Sequence, residues 1–312
     1  MLVQAKVSAL ATSKVVRNKR RHRKEACFRA VGLGVTMFGI LVLAALLFDL
    51  LSSGLPRLSW DFLTSFPSRR ASQAGILSAW AGSLLVILVT ALIGVPVGVA
   101  AGIYLEEYAP KNRLTDIIDI NVSNLAGVPS IIFGLLALGL FVYGLGTGRS
   151  IFTAGLTLAL LILPIVIVAT REALRGVPGG IRDAAYGIGA TKWQVTRDHV
   201  FTSALPGVLT GIIIAISRAL GETAPLITIG ALTFIAFLPT APIQDTFPYV
   251  SFQWLNDGFT VLPIQAFNWI SRPGSDFHAN AAAAGLVLMA ITLSLNAAAI
   301  YLRYRLRKKL KW

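Results

Sequence analysis

The feature that most constrains this chain is a series of six apolar stretches, each near the length that crosses a bilayer as a helix. They cover about residues 30–53, 82–105, 117–145, 151–170, 206–232 and 281–301. A spanning helix needs about 20 predominantly apolar residues, and each stretch supplies them. Composition supports the same conclusion: 13% of residues are charged and the mean hydropathy is +0.71, where soluble domains carry roughly 25% charged residues. The expected fold class is therefore all-α and integral to a membrane, and six crossings return the chain to its starting side. The stretch at 30–53 is longer than the apolar core of a signal peptide and lacks a small-residue cleavage site, so it is read as an anchoring helix.

The net charge of +14 raises the question of nucleic acid, and its distribution answers it. The basic residues crowd the ends: Arg17, Lys19, Arg20, Arg21, Arg23 and Lys24 near the start, and Arg303, Arg305, Arg307, Lys308, Lys309 and Lys311 at the finish. Neither run forms a recognisable nucleic-acid-binding module. With both termini on the inner side, segments 1–29, 107–115, 171–205 and 303–312 hold 22 Lys and Arg, against five in the outer segments. That asymmetry matches the positive-inside bias. The expected organisation is a basic cytoplasmic tail (1–29), a transmembrane domain (30–305) and a basic cytoplasmic C-terminus (306–312).

Two connections are too long for simple turns. The inner one, 171–205, has helix formers on both sides of Gly179-Gly180 and is expected to form two short helices. The outer one, 233–280, is rich in Phe, Trp and Pro and is expected to be ordered at the membrane surface, partly re-entrant.

Catalytic machinery is missing from the sequence. There is no GxxxxGK[ST] loop and no Gly-Lys dipeptide, so nucleotide phosphates have no usual cradle. The run Gly187-Ile188-Gly189-Ala190-Thr191-Lys192 has no strand before it. No G-x-S-x-G elbow occurs, and a single cysteine, Cys27, with three separated histidines, His22, His199 and His278, makes no metal cluster. The chain is expected not to be an enzyme and to hold no cofactor or metal.

Two constellations carry the chemistry. In the inner loop, Asp183-Ala184-Ala185 is followed by Gly189 and then Lys192. Small residues at 184 and 185 permit close helix packing, and Gly189 makes a turn; an ordinary surface helix is the plainer alternative. In the fifth stretch, Arg218 and Glu222 stand four apart, which on a helix places them on one face about 6 Å apart along the axis. Charges inside a membrane cost at least about 2.5–3.5 kcal/mol each, so they line a polar path or pair. Arg218 offers a fork of donors suited to a tetrahedral oxyanion, Glu222 can restrain that fork, Thr223 stands beside them, and Pro225 interrupts the helix. A structural ion pair joining helices is the alternative. Arg171, at the inner end of the fourth stretch, is grouped with this path, with membership of the loop as its other reading. Gly94, Gly98 and Gly102 in the second stretch suit close helix contact.

These residues resemble a known family. The inner loop is similar to the EAA loop of ABC-importer permeases, with Asp183 where that family usually has Glu. The runs RALGETAPL, Ala126-Gly127-Val128-Pro129-Ser130-Ile131-Ile132-Phe133-Gly134, Arg171-Glu172-Ala173-Leu174 and LPIQAFNWISRP resemble the PstA-type permease subunits of bacterial phosphate importers, over roughly residues 30–305. The resemblance implies a six-helix, MetI-like type I permease of the inner membrane that translocates inorganic phosphate. It implies a PstC-like second permease subunit, two PstB-like ATPase subunits that bind ATP and Mg, and a periplasmic PstS-like phosphate-binding protein. It also implies that Asp183, Ala184, Ala185, Gly189 and Lys192 form the ATPase-coupling loop. A permease for sulfate or molybdate, and a secondary anion transporter, are the other readings; the latter has no use for a docking loop and usually shows an internal repeat.

Overall fold

The computed structural model describes residues 2–243 and 249–309, with side chains from 24 onward except at 306, 307 and 309. The basic side chains before residue 24, part of the outer segment at 244–248 and the tip with Lys311 lie outside the described residues. Two compact units are present, Met1–Ser52 and Ser53–Trp312. The first is one helix, α1 (Leu2–Gly54), with exposed apolar side chains from Phe28 to Leu46.

In the second unit the long helices are α2 (Leu77–Tyr108), α5 (Ile151–Arg175), α7 (Lys192–Gly221) and α10 (Ser275–Lys309). Between α2 and α5 lie α3 (Arg113–Leu125) and α4 (Ser130–Gly144). Between α5 and α7 lies α6 (Gly179–Gly187), and between α7 and α10 lie α8 (Ala224–Thr228) and α9 (Leu262–Ile270). Among the described residues, five helices including α1 are long and apolar enough to span, and α3 with α4 makes a sixth if the bent pair counts as one.

The centre of the bundle is the α2–α5 contact, the most extensive in the fold. The glycine stripe explains it. A Cβ on Gly94 would lie 3.2 Å from the Ala159 backbone, one on Gly98 2.8 Å from Val166 and one on Gly102 2.7 Å from Thr170, so successive turns of α5 rest directly on the α2 backbone. Without a hydrophobic force between helices in lipid, such close van der Waals contact is what holds them. Around it Val86, Val89, Leu158, Ile162, Val166, Ala215 and Leu226 form the main buried cluster.

Three sequence expectations are corrected. The third stretch, 117–145, is not one helix: α3 and α4 meet at 107°, because Gly127 and Pro129 interrupt the ladder between them. The fifth, 206–232, begins much earlier, at Lys192, and stops at Gly221; Pro206 lies inside α7, not at its start. In the inner loop the break falls at 188–191 and not at Gly179-Gly180, which are the first turn of α6, behind Pro178. Thr191 starts α7 with a capping box in which its hydroxyl and Gln194 exchange hydrogen bonds with each other's backbone N–H.

The outer segment is ordered where described. It holds a 3-10 turn at Gln253–Asn256, a lone bridge between Ile243 and Val250, and α9, whose Trp269 is fully buried and stacks obliquely on Phe62 at 5.9 Å.

Candidate functional site

Helix α7 ends at Gly221 because Pro225 lacks an amide hydrogen and its ring excludes a continuing helix. Glu222 is extended, with φ −76° and ψ 127°, and Thr223 leads into α8 with no side-chain cap. Arg218 and Glu222 therefore do not share a helix face as expected, since Glu222 lies past the helix end. They still meet: Arg218 Nε donates to Glu222 Oε1 at 3.3 Å, the side chains being 44% and 16% exposed. Arg218 sits in the last turn of α7, where the helix dipole favours a cation. Glu222 backs onto a crevice of about 10 Å³, room for about one water, beside Ser83, Leu220, Leu226 and Val261.

The break at 222–225 packs on α4. A Cβ on Gly134 would fall against Thr228 Oγ1 and 2.6 Å from Pro225 Cα, so two of the sequence signatures, RALGETAPL and AGVPSIIFG, touch through Gly134. Arg171 lies elsewhere among polar groups. It is buried at the end of α5, donating from Nη2 to Asp119 Oδ2 of α3 at 2.9 Å, with Glu106 Oε2 of α2 3.5 Å from its Nε. No hydrogen bond or ion pair joins it to Arg218 or Glu222 among the described residues.

The loop from α6 to α7 turns at Gly189, whose φ of +83° is left-handed. Ala185 is buried against Leu174, Val177, Val195 and Val200, whereas Asp183 and Ala184 are exposed. Tyr186, Ile188 and Trp193 project around the turn, Ile188 at 82% exposure. Lys192 Nζ lies 4.9 Å above the Tyr108 ring. Sequence reasoning did not single out Arg182, Glu106, Glu107, Tyr108 or Asp119, which anchor this region. The only signal available was the scarcity of charge, which makes each acidic residue between two apolar stretches conspicuous.

Residues 94–311 match the family described as binding-protein-dependent transport system inner membrane component. The chain belongs to this family. The match takes in both signatures and the whole loop, and it starts within the glycine stripe of α2. The permease is 32% identical over 289 residues to the phosphate transport system permease protein PstA of Xylella fastidiosa strain Temecula1, covering 92% of this chain and 96% of that protein. Against the PstA of Haemophilus influenzae it is 36% identical over 229 residues, 72% of this chain and 79% of that one. It is also 32% identical over 289 residues to the probable ABC transporter permease protein YqgI of Bacillus subtilis, at 89% and 96% coverage. Among solved structures, a chain of the inward-facing MetNI methionine ABC transporter superposes with a TM-score of 0.56 at 17% identity, covering 72% of this chain and 93% of that one, a likeness of fold. The permease is thus a multi-pass, helical protein of the inner membrane with the MetI-type fold.

Proposed function

We propose that this permease subunit carries inorganic phosphate into the cytoplasm, driven by ATP hydrolysis on partner subunits. The observation that carries the reading is Arg218, with its side chain 44% exposed at the broken end of α7 and held from behind by Glu222. The PstA relatives agree with it. An arriving phosphate takes the outward donors of the fork, which a planar guanidinium presents at the right spacing for two oxygens. Glu222 keeps the fork oriented and takes back its charge when the anion leaves. Thr223 offers a hydroxyl next to the pair, and the break gives this segment freedom that a continuous helix would lack.

The inner ends, with both termini cytoplasmic, carry the positive-inside excess. The loop with Asp183, Ala184, Ala185, Gly189 and Lys192 docks an ATPase, its exposed Tyr186, Ile188 and Trp193 entering a groove on that subunit. The chain itself binds no nucleotide and needs no cofactor. Its partners are a PstC-like second permease subunit that supplies the other wall of the path, two PstB-like ATPases that bind ATP and Mg, and a PstS-like binding protein outside. Arg171, engaged by Asp119 and Glu106, acts at the inner mouth of the path and reaches phosphate only if those carboxylates release it. The test is ATP-dependent uptake of labelled phosphate in vesicles that contain the four kinds of subunit, with sulfate and molybdate as competitors. Uptake that sulfate suppresses as well as phosphate does would overturn the phosphate assignment.

A further inference from the structure

The C-terminal end of α2 is not a regular helix: over Tyr104–Tyr108 it widens into a π turn, a feature often found at functional sites. Three consecutive residues of that turn hold three different elements. Glu106 Oε2 accepts from Arg175 Nε of α5 at 2.9 Å. Glu107 Oε1 accepts from Arg182 Nη2 of α6 at 2.6 Å. Tyr108 lies under the Lys192 ammonium at the start of α7.

Arg182 adds a second hold. Its Nη1 donates to the Val177 carbonyl at 2.9 Å and its Nη2 to the Leu174 carbonyl at 3.0 Å, so it caps the last turn of α5 from across the Gly176–Pro178 linker. The charged groups are withdrawn from solvent: Glu107 is 11% exposed and Arg182 23%. Buried ionic contacts are poor stabilisers compared with apolar packing, and their best-attested use is to fix register. Here Ala185 and its apolar neighbours already supply the packing.

The geometry points to Glu106, Glu107 and Tyr108 as positioning residues that lock the docking loop to α2 and α5, so that loop movement is transmitted to the spans and not absorbed at the linkers. Arg182 grips the loop before Gly189 and Lys192 grips it after, while at Gly187 and Gly189 between them nothing lies within 4 Å of where a Cβ would sit. This rests on the reading of that loop as the ATPase dock.

The experiment uses the assembled transporter in proteoliposomes and reads ATP hydrolysis, phosphate uptake and co-purification of the ATPase for Arg182→Gln and Glu107→Gln. Expected are parental assembly, continued ATP hydrolysis and a roughly tenfold fall in phosphate taken up per ATP, within the range that coupling-network substitutions reach. Arg182→Lys, which keeps a donor for Glu107 or a carbonyl, should recover part of that ratio. An unchanged ratio in both Gln variants overturns the proposal. Loss of the ATPase from the complex also overturns it, since the pair would then serve docking and not transmission. Should either Gln variant fail to accumulate, Arg182→Lys and Lys192→Met decide by the same ratio. Failure of the docking reading is seen separately: Gly189→Val would then keep its ATPase and its uptake, whatever Arg182→Gln does.

Discussion

Replacing Arg218 and Glu222 together separates an anion path from a structural ion pair. At the observed 3.3 Å, with an effective dielectric near 20, the two charges attract by about 5 kcal/mol. Holding them in the membrane costs about 2.5–3.5 kcal/mol each, or about 5–7 kcal/mol for the pair. The terms nearly cancel, and Arg218's exposure shrinks both. The pair therefore adds little net stability, and Arg218→Met with Glu222→Leu should leave folding and assembly within about 1 kcal/mol of the parent. Glu222→Leu alone strands the guanidinium and should be destabilised, with about 2.5–3.5 kcal/mol as the upper bound because Arg218 is partly exposed. Uptake should behave differently. Losing two charge-assisted hydrogen bonds of about 1.5–3 kcal/mol each removes roughly a hundredfold or more in anion binding. The assay compares thermal unfolding and subunit co-purification with labelled phosphate uptake for the double variant. A double variant that assembles and takes up phosphate within twofold of the parent refutes the path.

Arg218→Lys keeps the charge but not the fork, and should lose most uptake while assembling normally, measured in the same vesicles. Gly189→Val forces a β-branched residue to a φ of +83° at a penalty above about 1–2 kcal/mol, and should release the ATPase on co-purification. Gly98→Leu must push Val166 away from contact and should lower the melting temperature by overpacking worth about 1–3 kcal/mol, whereas Gly139→Leu, with no atom near its Cβ position, should not; equal melting of the two would refute the α2–α5 account. In a Cys27→Ser background, Lys192→Cys should react with an impermeant thiol reagent only from the cytoplasmic side, and labelling from outside would overturn the topology.

What was legible in the sequence was whatever depends on length and composition along the chain. The apolar stretches announced the spanning helices, and the glycine stripe at 94, 98 and 102 announced a close helix contact, although not that α5 was the partner. Helix ends were misplaced where proline was taken as a boundary. Pro206 sits inside α7 because membrane helices tolerate proline where neighbours re-satisfy the freed groups. Pro225 ended its helix sooner than expected, leaving Glu222 outside it. The ion contacts of Glu106, Glu107 and Asp119 were invisible because they join residues as far apart in the chain as 107 and 182. No periodicity within one stretch encodes a pairing of that kind.

The two broken elements explain why the site sits where it does. Non-helical backbone in a bilayer is tolerated only where protein buries it or where it lines a watery cavity, since lipid offers no hydrogen bonds. Both breaks satisfy part of this requirement locally: Gly127 N donates to Asn124 O at 3.0 Å and Val128 N to Leu125 O at 3.2 Å, while Glu222 N donates to Ala219 O at 3.3 Å. The rest comes from mutual contact, because α4, which follows the first break, lies against α8, which follows the second, with Gly134 allowing the approach. Burial on that side leaves Arg218 as the polar group on the open side. An exposed guanidinium beside interrupted backbone is unfavourable against lipid and favourable against a water-filled path shared with a second permease subunit. On that account Arg218 should exchange from lipid-like to aqueous surroundings only in the assembled heterodimer. A cysteine-reactive, water-soluble probe at Arg218→Cys, in the Cys27→Ser background, should label rapidly when both permease subunits are present. Labelling no faster than at Ile214→Cys, one turn earlier on the same helix, would place Arg218 against lipid or protein and remove it from the path.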